Sequence, residues 1–161
     1  MNAKLPGRVF DWLQTLLAVA LVASVVLNFA AVLGRYAFGF AFVGADELQI
    51  FLMVWIAFLG AAIVTWREQH LRMDVLFGFL PRRVRAAVRR VEAAVLFVLA
   101  CVVVWESADY VRQMIAIGRV SDAAGIPIAL PHAAVTVGFA LIALIAGARL
   151  GRRAPDETER S

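Results

Sequence analysis

DELQIFLMVWIAFLGAAIVTWREQHLRMD, residues 46–74, is the stretch that decides the fold. An acidic pair opens it, residues 48–66 carry no charge, and Arg67, Glu68, His70, Arg72 and Asp74 crowd its end. The uncharged part has no polar face, so it is not the surface helix of a water-soluble domain. Nineteen residues at about 1.5 Å each reach about 28 Å, the thickness of a bilayer's hydrocarbon. It reads as a membrane-crossing helix. The composition agrees: 63% of the 161 residues are hydrophobic and 17% charged, against about half and a quarter in soluble proteins. The net charge of +4 is carried mostly by arginines grouped between apolar runs, as membrane topology requires, and no nucleic-acid motif accompanies it.

On the N-terminal side, residues 12–34 form an uncharged run longer than a typical signal sequence core and read as a retained first span. Trp12 and Tyr36 suit its two interfaces. A Gly- and Phe-rich connector, residues 35–45, leads to the second span, with Gly44 or Asp46 as its cap and Glu47 in its favourable first turn. On the C-terminal side, residues 75–80 are apolar but too short to cross and end at Pro81. They are expected to lie as a short interfacial segment. Seven arginines between Arg67 and Arg90 follow the second span. Residues 93–105 are charge-free for only thirteen positions, so the third span must be a long helix, about 84–114, with charged ends. The fourth is expected over about 131–148, opened by Pro131 and closed by Arg149, Arg152 and Arg153. Residues 1–150 then form one all-α, integral membrane four-helix domain, and 151–161 a polar tail. Lys4 and Arg8, the seven-arginine connection and the last arginines alternate with arginine-poor connectors. By the positive-inside rule both termini are cytoplasmic.

Polar residues within or beside the spans are the candidates for function. Asn28 suits a helix–helix hydrogen bond. Glu47 is expected at a helix or subunit contact, paired with Arg35. Trp55 is expected to pack against protein, beside the small patch opened by Gly60. His70 and Asp74 read as structural residues of the turn after the second span. Glu106, Asp109 and Gln113 recur at helical spacing as one polar stripe on the third helix, with Arg112 reaching Asp109. The faces of the second and third helices, more than the fourth, are expected to meet other subunits. Membrane lipids are the remaining neighbours.

Catalytic chemistry finds little support. Two histidines and one cysteine, with no metalloprotease, nucleophile-elbow, nucleotide or dinucleotide motif, argue against an enzyme and against a bound cofactor. His70 and His132 fall at opposite faces and cannot share one iron. Nor do broken helices, repeats or mid-membrane charges suggest a transport pathway within the chain. A stand-alone small carrier and a structural subunit of another membrane complex remain alternatives to the simplest reading, a subunit that holds another protein.

Several residues carry a more specific likeness. Asn28 and Arg35-Tyr36 end the first span, Glu47 opens the second, Trp55 and Phe58-Leu59-Gly60-Ala61 lie within it, and Arg67, His70 and Asp74 follow it. Gly118 and the connector 121–127 complete the pattern, although Ala129 stands where a tryptophan is often found. Together these features resemble the DctQ-like small membrane subunit of tripartite ATP-independent periplasmic (TRAP) transporters, over about residues 12–144. The resemblance implies a non-catalytic scaffold in the bacterial inner membrane. Its partners would be a large membrane subunit, bearing the substrate and sodium sites, and a periplasmic substrate-binding protein. It further implies sodium-driven uptake of C4-dicarboxylates or related organic acids, with no cofactor on this chain.

Overall fold

The computed structural model describes residues 4–41, 43–67 and 81–151, without the side chains of 4–6, 82 and 83. His70, Asp74, the expected interfacial segment 75–80 and the tail beyond 151 lie outside the described residues. Within them the chain is four helices: α1 (Lys4–Ala37), α2 (Ala45–Trp66), α3 (Arg82–Ile117) and α4 (Ala129–Gly151).

Three of these are long and apolar enough to cross a membrane, Gly7–Ala37, Ala45–Trp66 and Ala129–Gly151. The chain is therefore a multi-pass membrane protein. Helix α1 runs past the expected hydrocarbon segment at its N-terminal end, where Pro6 is tolerated in the first turn. Helix α3 has 36 residues, so at about 1.5 Å per residue it reaches roughly 54 Å, well beyond a bilayer's hydrocarbon. Gly118 ends it in the left-handed conformation (φ 65°). The Gly118 and Arg119 amides turn back to the carbonyls of Ile115 and Met114, which is the Schellman closure that glycine permits.

The helices lie in the order α1, α2, α4, α3, each packed on its neighbours in that row. Helix α4 is the centre: 44% of its apolar window is buried, against 22% in α2 and 11% in α1. Lipid offers no hydrophobic drive for helices to meet, so close packing of small side chains has to supply the attraction. The buried cluster where α2, α3 and α4 converge is accordingly Ala62, Ala100 and Ile142. The tightest approach is at Gly138 of α4. A Cβ there would stand 2.7 Å from Phe58 Cβ and 2.8 Å from the Phe58 carbonyl oxygen of α2. The expected patch behaves differently along its length. Ala62 is fully buried, whereas a Cβ on Gly60 would meet no atom within 4 Å. Gly60 instead lines a shallow groove between α1 and α2.

Candidate functional site

The polar side chains divide into three groups: a clasp at one end of the bundle, ties at the other, and an exposed line along α3. The clasp begins with the α3–α4 connector. The Ser121 amide donates to Ile126 O at 2.8 Å and the Ile128 amide to Arg119 O at 3.1 Å. Val120 and Pro127 form an antiparallel bridge. The segment is therefore a small hairpin, with Gly125 at φ 65° making its turn. Glu47, in the first turn of α2, reaches into it. Its carboxylate accepts the Ala123 amide at 3.1 Å and the Ala124 amide at 2.7 Å, and Ser121 adds its hydroxyl. The same Ser121 oxygen accepts the Ile126 amide at 3.2 Å. Beside this contact Gly44, the N-cap of α2 at φ 85°, lies so close that a Cβ would stand 2.8 Å from Ala124 Cβ. Glu47 is thus half-buried against the α3–α4 connector, not buried against another helix and not paired with the expected cation. Arg35 stands 3.6 Å from Asp46 in an exposed ion pair, because consecutive helical residues point about 100° apart and only one of two adjacent acids can face α1.

Asn28 does bridge two helices: its Nδ2 donates to Gln49 Oε1 of α2 at 2.8 Å. Gln49 is buried, and its own Nε2 has no partner among the described residues. Gln49 escaped the sequence reading because it lies in a run defined by absence of charge. Its signal was a lone amide at the second position of that run. Trp55 is half-buried in α2.

At the opposite end, Asp11 and Arg67 join α1 to α2 at 2.8 Å, and the Phe10 and Trp66 rings stack with centroids 4.7 Å apart. Arg149 of α4 donates to the Thr65 carbonyl of α2. A guanidinium there satisfies a terminal carbonyl and faces the negative end of the helix dipole. Neither Arg149 nor Thr65 was singled out from sequence, since each looks like ordinary span punctuation.

Between α3 and α4, Ser107 shares a hydrogen bond of 2.8 Å with Thr136, and Tyr110 meets the His132 ring edge-on with centroids 4.5 Å apart. Glu106 and Asp109 are exposed. Asp109 accepts the Gln113 amide at 2.8 Å and is not paired with Arg112 as expected. Gln113 lies four residues on and reaches it without bending a long stem.

No three His, Cys, Asp or Glu side chains among the described residues are placed to hold a metal ion. Among the described residues most of the polar groups tie helices to one another or to the connector, and none pairs a nucleophile with a base. The comparison with known proteins fits that architecture. A family model described as "Tripartite ATP-independent periplasmic transporters, DctQ component" matches residues 24–156. The chain belongs to the DctQ family. As a DctQ-family small permease subunit it is non-catalytic. The chain is 27% identical over 137 residues to the ectoine TRAP transporter small permease protein TeaB of Halomonas elongata, covering 83% of this chain and 71% of that one. A putative TRAP transporter small permease protein of Haemophilus influenzae is 25% identical over 78% of this chain and 76% of its own. The isethionate TRAP transporter permease protein DctMQ of Oleidesulfovibrio alaskensis is 26% identical over 104 residues, 65% of this chain. The match spans only 16% of that longer protein.

Proposed function

We propose that this DctQ-family chain is the static scaffold of a sodium-driven TRAP transporter in the bacterial inner membrane. It braces a large membrane subunit that carries substrate and sodium, and a periplasmic binding protein delivers the substrate. The family match over residues 24–156 carries the reading. The geometry supports it, because α2 is fastened to α4 or its connector at both ends and at Gly138, which holds these two helices together rather than letting them part in an alternating-access cycle. The substrate class is C4-dicarboxylates or related organic acids. Curated relatives carry names as different as ectoine, isethionate and C4-dicarboxylate, so selectivity is assigned to the partner chains.

In the proposed topology α3 also crosses the membrane, as the third of four spans, and both termini are cytoplasmic. Valines 84, 88, 91, 95, 98 and 102 are all exposed and fall on one side of α3. They make a lipid-compatible stripe about 28 Å long, although arginines interrupt the other side. The test is reconstitution of the large subunit, the binding protein and this chain with an imposed sodium gradient. Uptake should require all three. Undiminished uptake without this chain, or flux through this chain alone, would overturn the proposal.

A further inference from the structure

A groove of about 760 Å³ runs between α3 and α4, a size that takes an organic ligand. Its walls are apolar for most of their length, with Phe97, Cys101 and Trp105 on α3 and Ala140, Ala143 and Gly147 on α4. Those α4 residues belong to a span, so this part of the groove opens to lipid and not to water. Two charged residues line it as well, Asp109 and Arg112, both exposed and both toward the C-terminal end of α3. They are close neighbours on the helix surface, yet they do not pair with each other. Asp109 accepts the Gln113 amide through Oδ2. Arg112 makes no ion pair or hydrogen bond among the described residues.

The depth of the two charges follows from the contacts with antiparallel α4. Phe97 lies against Gly147, Ser107 against Thr136 and Tyr110 against His132. Just past Tyr110, Arg112 is level with the start of α4 near Pro131, where its apolar run begins. The guanidinium therefore stands at headgroup level, with Asp109 about 4.5 Å further in. From Arg112 to Phe97 the trough runs about 22 Å, longer than the roughly 15 Å that the chains of one leaflet occupy. A whole acyl chain fits along it. A side chain of either sign from a neighbouring helix would match one of the two charges and be repelled by the other, whereas a zwitterion matches both. We infer that the α3–α4 groove binds a phospholipid with a primary ammonium headgroup, of the phosphatidylethanolamine class, from the leaflet on the side of the connector 119–128. One acyl chain lies along Phe97, Cys101 and Gly147. Arg112 holds the phosphate with its fork of N–H donors, and the ammonium tilts inward to donate to the remaining oxygen of Asp109. The site needs only that α4 crosses the bilayer, so it stands apart from the scaffold reading.

The test is native mass spectrometry of the full chain, loaded with defined lipids and washed in detergent, to count the lipid it retains. The wild type should hold phosphatidylethanolamine in preference to phosphatidylglycerol, which has no ammonium, and to phosphatidylcholine, whose ammonium has no N–H to donate. This headgroup series needs no variant to fold. Arg112→Gln should lower retention of phosphatidylethanolamine by about tenfold, and Asp109→Asn should erase the preference over phosphatidylcholine. Equal retention of the three lipids by the wild type, or unchanged retention by Arg112→Gln, would overturn the inference. A photo-crosslinker at Leu144, which is 70% exposed on the groove wall, distinguishes the other occupant when the chain is co-expressed with its large subunit. It should form adducts with lipid; adducts with the large subunit would replace the lipid site with a protein contact.

Discussion

Glu47 does more than begin a helix. Its carboxylate takes two amides and a hydroxyl from a hairpin 74 or more residues later in the chain, so one side chain ties α2 to the entrance of α4. Replacing Glu47 with Ala should leave the Ala123 and Ala124 amides without their acceptor. Hydrogen exchange should then speed up across 119–128 while the middle of α4 keeps its protection, which peptide-resolved exchange can read. Gly44 supports the same contact through its backbone. Gly44→Ala places a side chain at a left-handed φ and against Ala124, and it should cost about 1–2 kcal/mol from the conformation alone. Denaturation in detergent would show it as a lowered midpoint. For Asn28 and Gln49, the bridging hydrogen bond should appear as a coupling of about 0.6–1.7 kcal/mol in a double-mutant cycle with Asn28→Ala and Gln49→Ala.

Among the helices, α4 is the one on which the others depend, and its contact with α2 turns on the absence of one carbon. Gly138→Ala would set a Cβ within 3 Å of Phe58 backbone, which cannot step aside as a flexible side chain would. The helices must separate, and we expect a loss of about 1–3 kcal/mol, measured by denaturant unfolding in mixed micelles. Gly60→Ala, open on all sides, should be near neutral in the isolated chain. The contrast between the two glycines separates packing at the helix contact from any general effect of adding a methyl group. Sequence could not rank them. Both are single glycines inside apolar runs, and only the crossing point of two helices says which one is against a backbone.

For the molecule as a whole, the order α1, α2, α4, α3 follows from where the ties fall. Asn28–Gln49 and Asp11–Arg67 hold α1 to α2, while Glu47 and Arg149 hold α2 to the α4 side. The two sets lie at both ends of the helices, so the row is braced against shear as well as separation. If both termini are cytoplasmic as proposed, a cysteine introduced at Asp122 in a Cys101→Ser background should label from the periplasmic side of intact cells. One at Thr158 should label only after the membrane is opened. Labelling of Thr158→Cys from outside would reverse the topology.

The apolar runs, their lengths and the alternation of arginine between them were sufficient to read an all-α membrane protein. Hydrocarbon thickness and the cost of burying charge act on any segment one at a time. The family likeness was legible for a similar reason, since Asn28, Glu47 and Arg67 mark the ends and polar points of successive helices in linear order. Partnerships were not legible. Glu47 had Arg35 within easy reach by chain distance, yet the hairpin amides of Ala123 and Ala124 took it and Arg35 went to Asp46. Asp109 likewise met Gln113 instead of Arg112. These choices depend on the angles at which helices cross and on which side of each helix then faces a neighbour, and side chains distant in the chain compete for the same few angstroms only once the bundle has closed.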